Sequence, residues 1–154
     1  KNGWTKFISM QNHLNLIYRE EEREMIPLCL NDSLAITPWS PLARGFLAGN
    51  RTKNGGGKTD RAKNDVLAED YYYSKADFKI LDSVKKVAEQ ENRQPVEVAL
   101  AWLLQKKGIT APIIGPGKLA QLKTLINSMS LKLSEKQILS LEKHYQPKNI
   151  SGHS

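Results

Sequence analysis

Cysteine is almost missing from this 154-residue sequence, which carries only Cys29. A lone thiol excludes an internal disulfide, and the chain reads as cytoplasmic. Cys29 lies in an apolar helical pattern and is expected in the core rather than as a nucleophile. No apolar run approaches the roughly 18 residues of a membrane span, and no signal peptide is visible, so no membrane partner is expected. No Cys, His or carboxylate stands at metal-ligand spacing from His13, so no metal site is expected and His13 reads as a loop residue. The formal net charge of +7 comes without a nucleic-acid recognition motif. Lys and Arg are scattered along helical patterns among Glu and Asp. Soluble faces plus a phosphate-binding loop account for the excess more simply than nucleic acid does. With 40% hydrophobic and 25% charged residues, the composition is that of an ordinary globular chain.

The chain is organised around residues 34–49. The short apolar run Leu34 to Ile36 stops at Thr37-Pro38, as a strand buried on both faces of a parallel sheet does. Pro38 and Pro41 bar both helix and ladder, so the backbone leaves the sheet there. Trp39 and Ser40 then stand at the carboxyl end of a strand, the edge where α/β folds place ligands. A flat aromatic face, a hydroxyl and a turn of backbone N–H groups suit a flat ring bearing a phosphate. They equally suit a core Trp beside a tight turn, and the residues alone leave both readings open.

The rest of the pattern is a run of βα units. Phe7 to Gln11 reads as a strand ending on Gln11. Residues 19–31 are helical, opened by Glu20, Glu21, Glu22 and Glu24, with Pro27 leaving open one helix or a turn feeding a second. Met25, Ile26, Leu28 and Cys29 form its buried side. Residues 50–65 hold Gly55-Gly56-Gly57 and five basic residues without apolar periodicity, which predicts a mobile basic loop. Tyr71-Tyr72-Tyr73 suits a substrate mouth or packing of the loop on the next helix. Ser74 with Asp77 predicts a capped helix to about Asn92, buried through Phe78, Leu81, Val84 and Val87. Pro95 opens another to residue 107, with Trp102 in the core and Gly108 as its cap. Pro112 to Gly115 reads as a third strand. Gly115-Pro116-Gly117-Lys118 leads into a helix bearing Leu119, Leu122, Leu125 and Ile126, an arrangement that lets amides approach a phosphate. Ser134 with Gln137 caps a last amphipathic helix bearing Ile138, Leu141 and Tyr145. His144 and His153 are expected to be exposed.

The stretch Pro38-Trp39-Ser40-Pro41-Leu42-Ala43-Arg44-Gly45 resembles the cofactor segment of the aldo-keto reductases. The branch it is most similar to holds fungal aryl-alcohol dehydrogenases and potassium-channel β subunits. Ser9-Met10-Gln11-Asn12, Arg19-Glu20-Glu21-Glu22 and Pro112-Ile113-Ile114-Gly115 agree in order and spacing. The resemblance spans nearly the whole chain but only the C-terminal half of the family's sequence. It implies the C-terminal part of a (β/α)8 barrel, about three βα units, with residues 1–154 one portion of a single domain. Such a barrel takes about 250 residues, so the chain is expected to be a fragment or a remnant of one.

The resemblance also implies NADP, or NAD, as cofactor. Gln11 would bond the nicotinamide carboxamide and Trp39 would stack on its ring. Ser40, Pro41, Leu42, Arg44 and Arg61 would lie along the pyrophosphate, with Arg61 carried by the basic loop. Gly115, Gly117, Lys118 and Gln121 would hold the adenosine end, where Thr124 and Leu125 replace the family's usual polar pair. The family's Tyr, Lys, His and Asp lie in the half not matched here, so no catalytic residue is assigned. Two functions follow. One is an NADP-dependent oxidoreductase of small carbonyl or alcohol substrates, represented by its cofactor half. The other is a non-catalytic remnant or binding module that needs a separate N-terminal half or a homo-oligomer.

Overall fold

The structure, a computed structural model, describes residues 2–52 and 71–150. Among these are two short strands, β1 (Ser9–Met10) and β2 (Ala35–Ile36), and five α-helices: α1 (Met25–Asn31), α2 (Lys75–Gln90), α3 (Pro95–Leu104), α4 (Leu119–Asn127) and α5 (Glu135–Glu142). β1 and β2 pair in parallel, Ser9 opposite Ala35 and Met10 opposite Ile36. The ladder outruns the strands. Ala35, Thr37 and Trp39 donate their amides in turn to the carbonyls of Ile8, Met10 and Asn12, at 3.0, 2.9 and 2.8 Å. Every second amide of β2 thus faces β1, as the pleat requires.

The expected third strand at 112–115 is not formed as a regular strand. Residues 109–113 do run beside β2, with a parallel bridge between Ile36 and Ile109. Thr110 donates to the Ile36 carbonyl at 2.9 Å and Ile113 to the Pro38 carbonyl at 2.8 Å. The return bonds are missing for a chemical reason. The β2 amides on this side belong to residues 36 and 38. That of Ile36 goes to the Thr110 hydroxyl at 3.1 Å, and Pro38 has no N–H. The Ile36 carbonyl takes both the Thr110 amide and, at 3.4 Å, that of Ala111 before the Pro38 carbonyl takes Ile113, so the segment sets one extra residue against its partner, as a bulge does.

The helices follow their sequence signals closely. Ser74 and Asp77 exchange side-chain and backbone bonds at 3.1 and 3.0 Å, and Ser134 with Gln137 repeats the box at α5. α2 buries Phe78, Leu81, Val84 and Val87 as patterned, and α3 buries every residue from Val98 to Leu103. α3 ends at Leu104, three residues short of expectation, and Gly108 turns the chain at φ +89°. The stretch 19–31 is a 3₁₀ turn at Glu20–Glu22 feeding α1. Pro27 falls in the first turn of α1, where its missing N–H costs nothing. Ile26 and Cys29 are buried there, but Leu28 is exposed. These elements share one core with Leu14, Leu16, Ile17, Ile36, Phe46, Leu47 and Trp102. Full burial of each such aliphatic side chain contributes about 1.5–3 kcal/mol.

Two apolar patterns do not face that core. On α4 only Leu125 is buried, while Leu119 and Ile126 are 68% and 52% exposed. In the segment leading into β1, Trp4, Phe7 and Ile8 are all more than 80% exposed. The strand expected over residues 7–11 is accordingly shortened to Ser9–Met10.

Candidate functional site

The ends of β2 and of the 109–113 segment place two loops at one edge of the sheet. The first begins at Trp39, whose own amide is held by Asn12 and whose neighbour Pro38 is held by Ile113. The indole is half-buried, with one face against the imidazole of His13 at 4.0 Å between ring centroids and 18° between planes. Beyond it the backbone enters the left-handed region repeatedly. Ser40, Ala43, Arg44 and Gly45 have φ of 53°, 48°, 53° and 89°. Such residues are costly unless the surroundings fix them, and two polar side chains do so. Asn15 donates through its side-chain amide to the Ser40 carbonyl at 3.0 Å, and Arg51, itself buried, donates to the Arg44 carbonyl at 2.8 Å. The turn also holds itself: the amides of Ala43, Gly45 and Leu47 donate to the carbonyls of Ser40, Leu42 and Leu42 at 2.9, 2.9 and 3.3 Å. Pro41 is buried, and Leu42 and Arg44 are half-buried in the same turn.

The second loop runs from Gly115 into α4. Gly115 and Gly117 each have open space where a Cβ would stand, except for Gln121 at 3.9 Å from that of Gly117. The side-chain carbonyl of Gln121 accepts from the Gly117 amide at 2.9 Å. Lys118 is the N-cap residue of α4 and is exposed. Leu125 is buried, and the Thr124 hydroxyl bonds back to the Ala120 carbonyl at 3.1 Å. Gln11 is exposed at the end of β1. Arg61 and most of the basic loop 50–65 lie outside the described residues.

His13 lies outside the named strands and helices, as its reading as a loop residue has it, yet it is only 5% exposed, sandwiched between Tyr18 at 4.1 Å and Trp39. Its Nε2 lies 2.8 Å from the Tyr72 hydroxyl, and Asn15 joins both. Burial first, and then the positive charge of Lys148, lower its pKa to about 4. Burial likewise raises the Tyr72 phenol well above its ordinary value. Tyr71 and Tyr72 therefore pack inward on this cluster, with edge contacts from both to His13. Trp39 and the Tyr71-Tyr72-Tyr73 run were the sequence signals near the cluster; nothing local marked Asn15, His13 or Arg51. His144, expected to be exposed, is half-buried.

The C-terminal segment ties this region down. Lys148 Nζ donates to the Tyr71 carbonyl at 3.0 Å and to Asp77 at 2.8 Å. The Tyr145 hydroxyl and the Lys148 amide both donate to Glu20. Burial opposes the charge on Glu20, yet these bonds and Arg23 hold its pKa below the usual value. An open groove of about 570 Å³ between the Glu20–Glu22 turn and α5 is lined by Arg19, Glu22, Leu139 and Glu142 among others, and shares no residue with either loop. No described helix is long and apolar enough to cross a membrane.

The sequence model of the aldo/keto reductase family matches residues 1–146. The chain belongs to the aldo/keto reductase family. It is 43% identical over 152 residues to a Schizosaccharomyces pombe protein named for aryl-alcohol dehydrogenase, covering 99% of this chain and 42% of that one. An aldo-keto reductase of Fusarium vanettenii is 42% identical over 153 residues, 99% of this chain and 40% of its own. Versiconal hemiacetal acetate reductase of Aspergillus parasiticus is 38% identical over 150 residues, 97% and 43%. The chain thus spans about two fifths of the length of these curated relatives. A thermostable aldo-keto reductase crystallised with the inhibitor epalrestat superposes with a TM-score of 0.62 at 20% identity, over 87% of this chain and 38% of that chain. The fold of this aldo/keto reductase chain is therefore an incomplete (β/α)8 barrel, with two strands among the described residues.

Proposed function

We propose that this chain is the cofactor-binding C-terminal portion of an NADP-dependent aldo-keto reductase acting on small aldehydes, ketones or aryl alcohols in the cytoplasm. The observation that carries the reading is the half-buried Trp39 at a strand end, one ring face backed by His13 and the next residues turned left-handed. Bound there, the nicotinamide would supply or accept the hydride. Trp39 would stack on its ring, and Gln11 at the end of β1 would bond its carboxamide. The turn Ser40-Pro41-Leu42, with Arg44 and with Arg61 from the 50–65 loop, would meet the pyrophosphate. Gly115 and Gly117 would admit the adenosine end closely, and Lys118 offers a cation for an added phosphate, which favours NADP over NAD. Gln121 would keep that entry turn in shape through its bond to the Gly117 amide.

Residues 1–154 would form one portion of a single barrel domain, completed by an N-terminal half or by a second copy. The exposed Trp4, Phe7 and Ile8 leading into β1 support such completion. The acid that protonates the carbonyl would come from that other half, so no residue here is given that role. Trp39→Ala should weaken NADPH binding by about 1–2 kcal/mol, the worth of an aromatic stack with its buried area. A fluorescence titration of both proteins measures it, and equal dissociation constants would leave Trp39 a packing residue only.

A further inference from the structure

We propose that His13 is a positioning residue that sets the plane of Trp39 for ligand stacking, and that Tyr72 in turn locks His13. This deepens the cofactor reading above and rests on it. Three flat rings lie parallel in the order Tyr18, His13, Trp39, at 4.1 and 4.0 Å with interplanar angles of 12° and 18°. An indole at a strand end has two rotatable side-chain bonds, and its backbone alone does not select a ring plane. Here one face of the indole is covered by an imidazole that cannot itself turn. His13 is held along its edge by the Tyr72 hydroxyl at 2.8 Å and by Asn15 at 3.3 Å. Tyr71 and Tyr72 close its rim at 5.8 and 6.2 Å.

The lock continues outward. Lys148 lies 5.7 Å over the Tyr72 ring and bonds the Tyr71 carbonyl and Asp77. The groups facing His13 are thus Tyr18, Trp39, Asn15, Tyr71 and Tyr72, with the Lys148 charge beyond. No carboxylate among them would welcome an imidazolium, and His13 Nδ1 is buried without a hydrogen-bond partner. The ring stays neutral, and a neutral ring stacks on indole without the cost of burying a charge. The choice of His over an aliphatic residue has a further reason: it is flat enough for the slot and still offers Nε2 to the Tyr72 hydroxyl.

A double-substitution cycle tests the idea. NADPH dissociation constants are measured for the protein, His13→Leu, Trp39→Ala and the double variant, with His13→Phe as the flat-ring rescue. His13→Leu should raise the constant about tenfold when Trp39 is present and no more than about twofold when it is Ala, the non-additivity of residues in contact. His13→Phe should stay within about threefold of the parent, because a flat ring fills the slot. An equal effect of His13→Leu in both backgrounds, or none with Trp39 present, overturns the proposal. If Trp39→Ala itself leaves the constant unchanged, the cofactor reading fails, and the positioning claim is settled in 5-fluorotryptophan-labelled protein without ligand. Selective broadening of the Trp39 fluorine line by His13→Leu, with the Trp4 and Trp102 lines unmoved, then supports it, and an unaltered line overturns it. Should His13→Leu not fold, His13→Met enters the same cycle with the same outcomes.

Discussion

Mild acid should cost this protein a defined amount of stability through a single side chain. His13 is 5% exposed, and its pKa is lowered from 6.5 to about 4, by burial first and Lys148 second. Between those values the unfolded chain binds a proton that the folded chain refuses. Stability therefore rises with pH across the window. The contribution is complete above about pH 6.5 and is lost as pH falls toward about 4. A displacement of roughly 2.5 units at about 1.4 kcal/mol per unit gives about 3.5 kcal/mol. That is a large share of a net stability typically about 5–15 kcal/mol.

Solvent screening does not discount the figure, because the ring is buried. Glu20 and Glu142 also lose stabilising charge in acid. Burial opposes their ionisation, but hydrogen bonds from Tyr145 to Glu20 and from Lys106 and Trp102 to Glu142 lower both pKa values. Their contributions are present above the ordinary carboxylate pKa and vanish only below it, so the His13 window lies at higher pH. Urea midpoints at about pH 7, 6 and 5, for the parent and for His13→Leu, isolate the term. The parent should lose about 1.4 kcal/mol per unit once below about pH 6, while the variant stays level to about pH 5. Parallel behaviour of the two proteins, or a parent midpoint constant from pH 7 to 5, would refute the reasoning.

A series of glycines separates backbone strain from crowding. Gly115→Ala, with open space and no positive φ, should shift stability by less than about 0.5 kcal/mol. Gly45→Ala, at φ +89° with open space, should cost about 1–2 kcal/mol. Gly108→Ala, at the same φ but with its Cβ 2.6 Å from Leu30 Cδ2, should cost about 2–3 kcal/mol, moderated because Leu30 is 39% exposed and can swing. Urea midpoints rank the three, and any other order defeats the account. On α5, Glu142 accepts from Trp102 Nε1 at 2.7 Å and pairs with Lys106 at 2.9 Å and Arg19 at 3.2 Å. Glu142→Gln keeps the Trp102 bond but leaves the half-buried Arg19 and Lys106 to share Glu22 alone, at 2.6 and 3.1 Å, and should lower stability by about 1 kcal/mol. An unchanged thermal midpoint would show that Glu22 and solvent satisfy those cations.

The capping boxes of α2 and α5 and the apolar faces of α2 and α3 are legible in the sequence because the contacts that make them join residues three or four apart. Ser74 and Asp77 find each other whatever the rest of the chain does, and so do Ser134 and Gln137. The Pro38 to Gly45 motif is legible for a related reason, since two prolines and a glycine fix backbone geometry locally. What lay outside that reach was decided between segments. The 109–113 segment fails to become a strand because its partner amides belong to Ile36, already taken by Thr110, and to Pro38, which has none. That result depends on a register no single segment states. The same holds for His13, which carries no local mark of burial. It becomes the middle of a ring stack only when the fold brings Tyr18, Trp39 and Tyr72 together around it, because stacking and desolvation depend on neighbours distant in sequence.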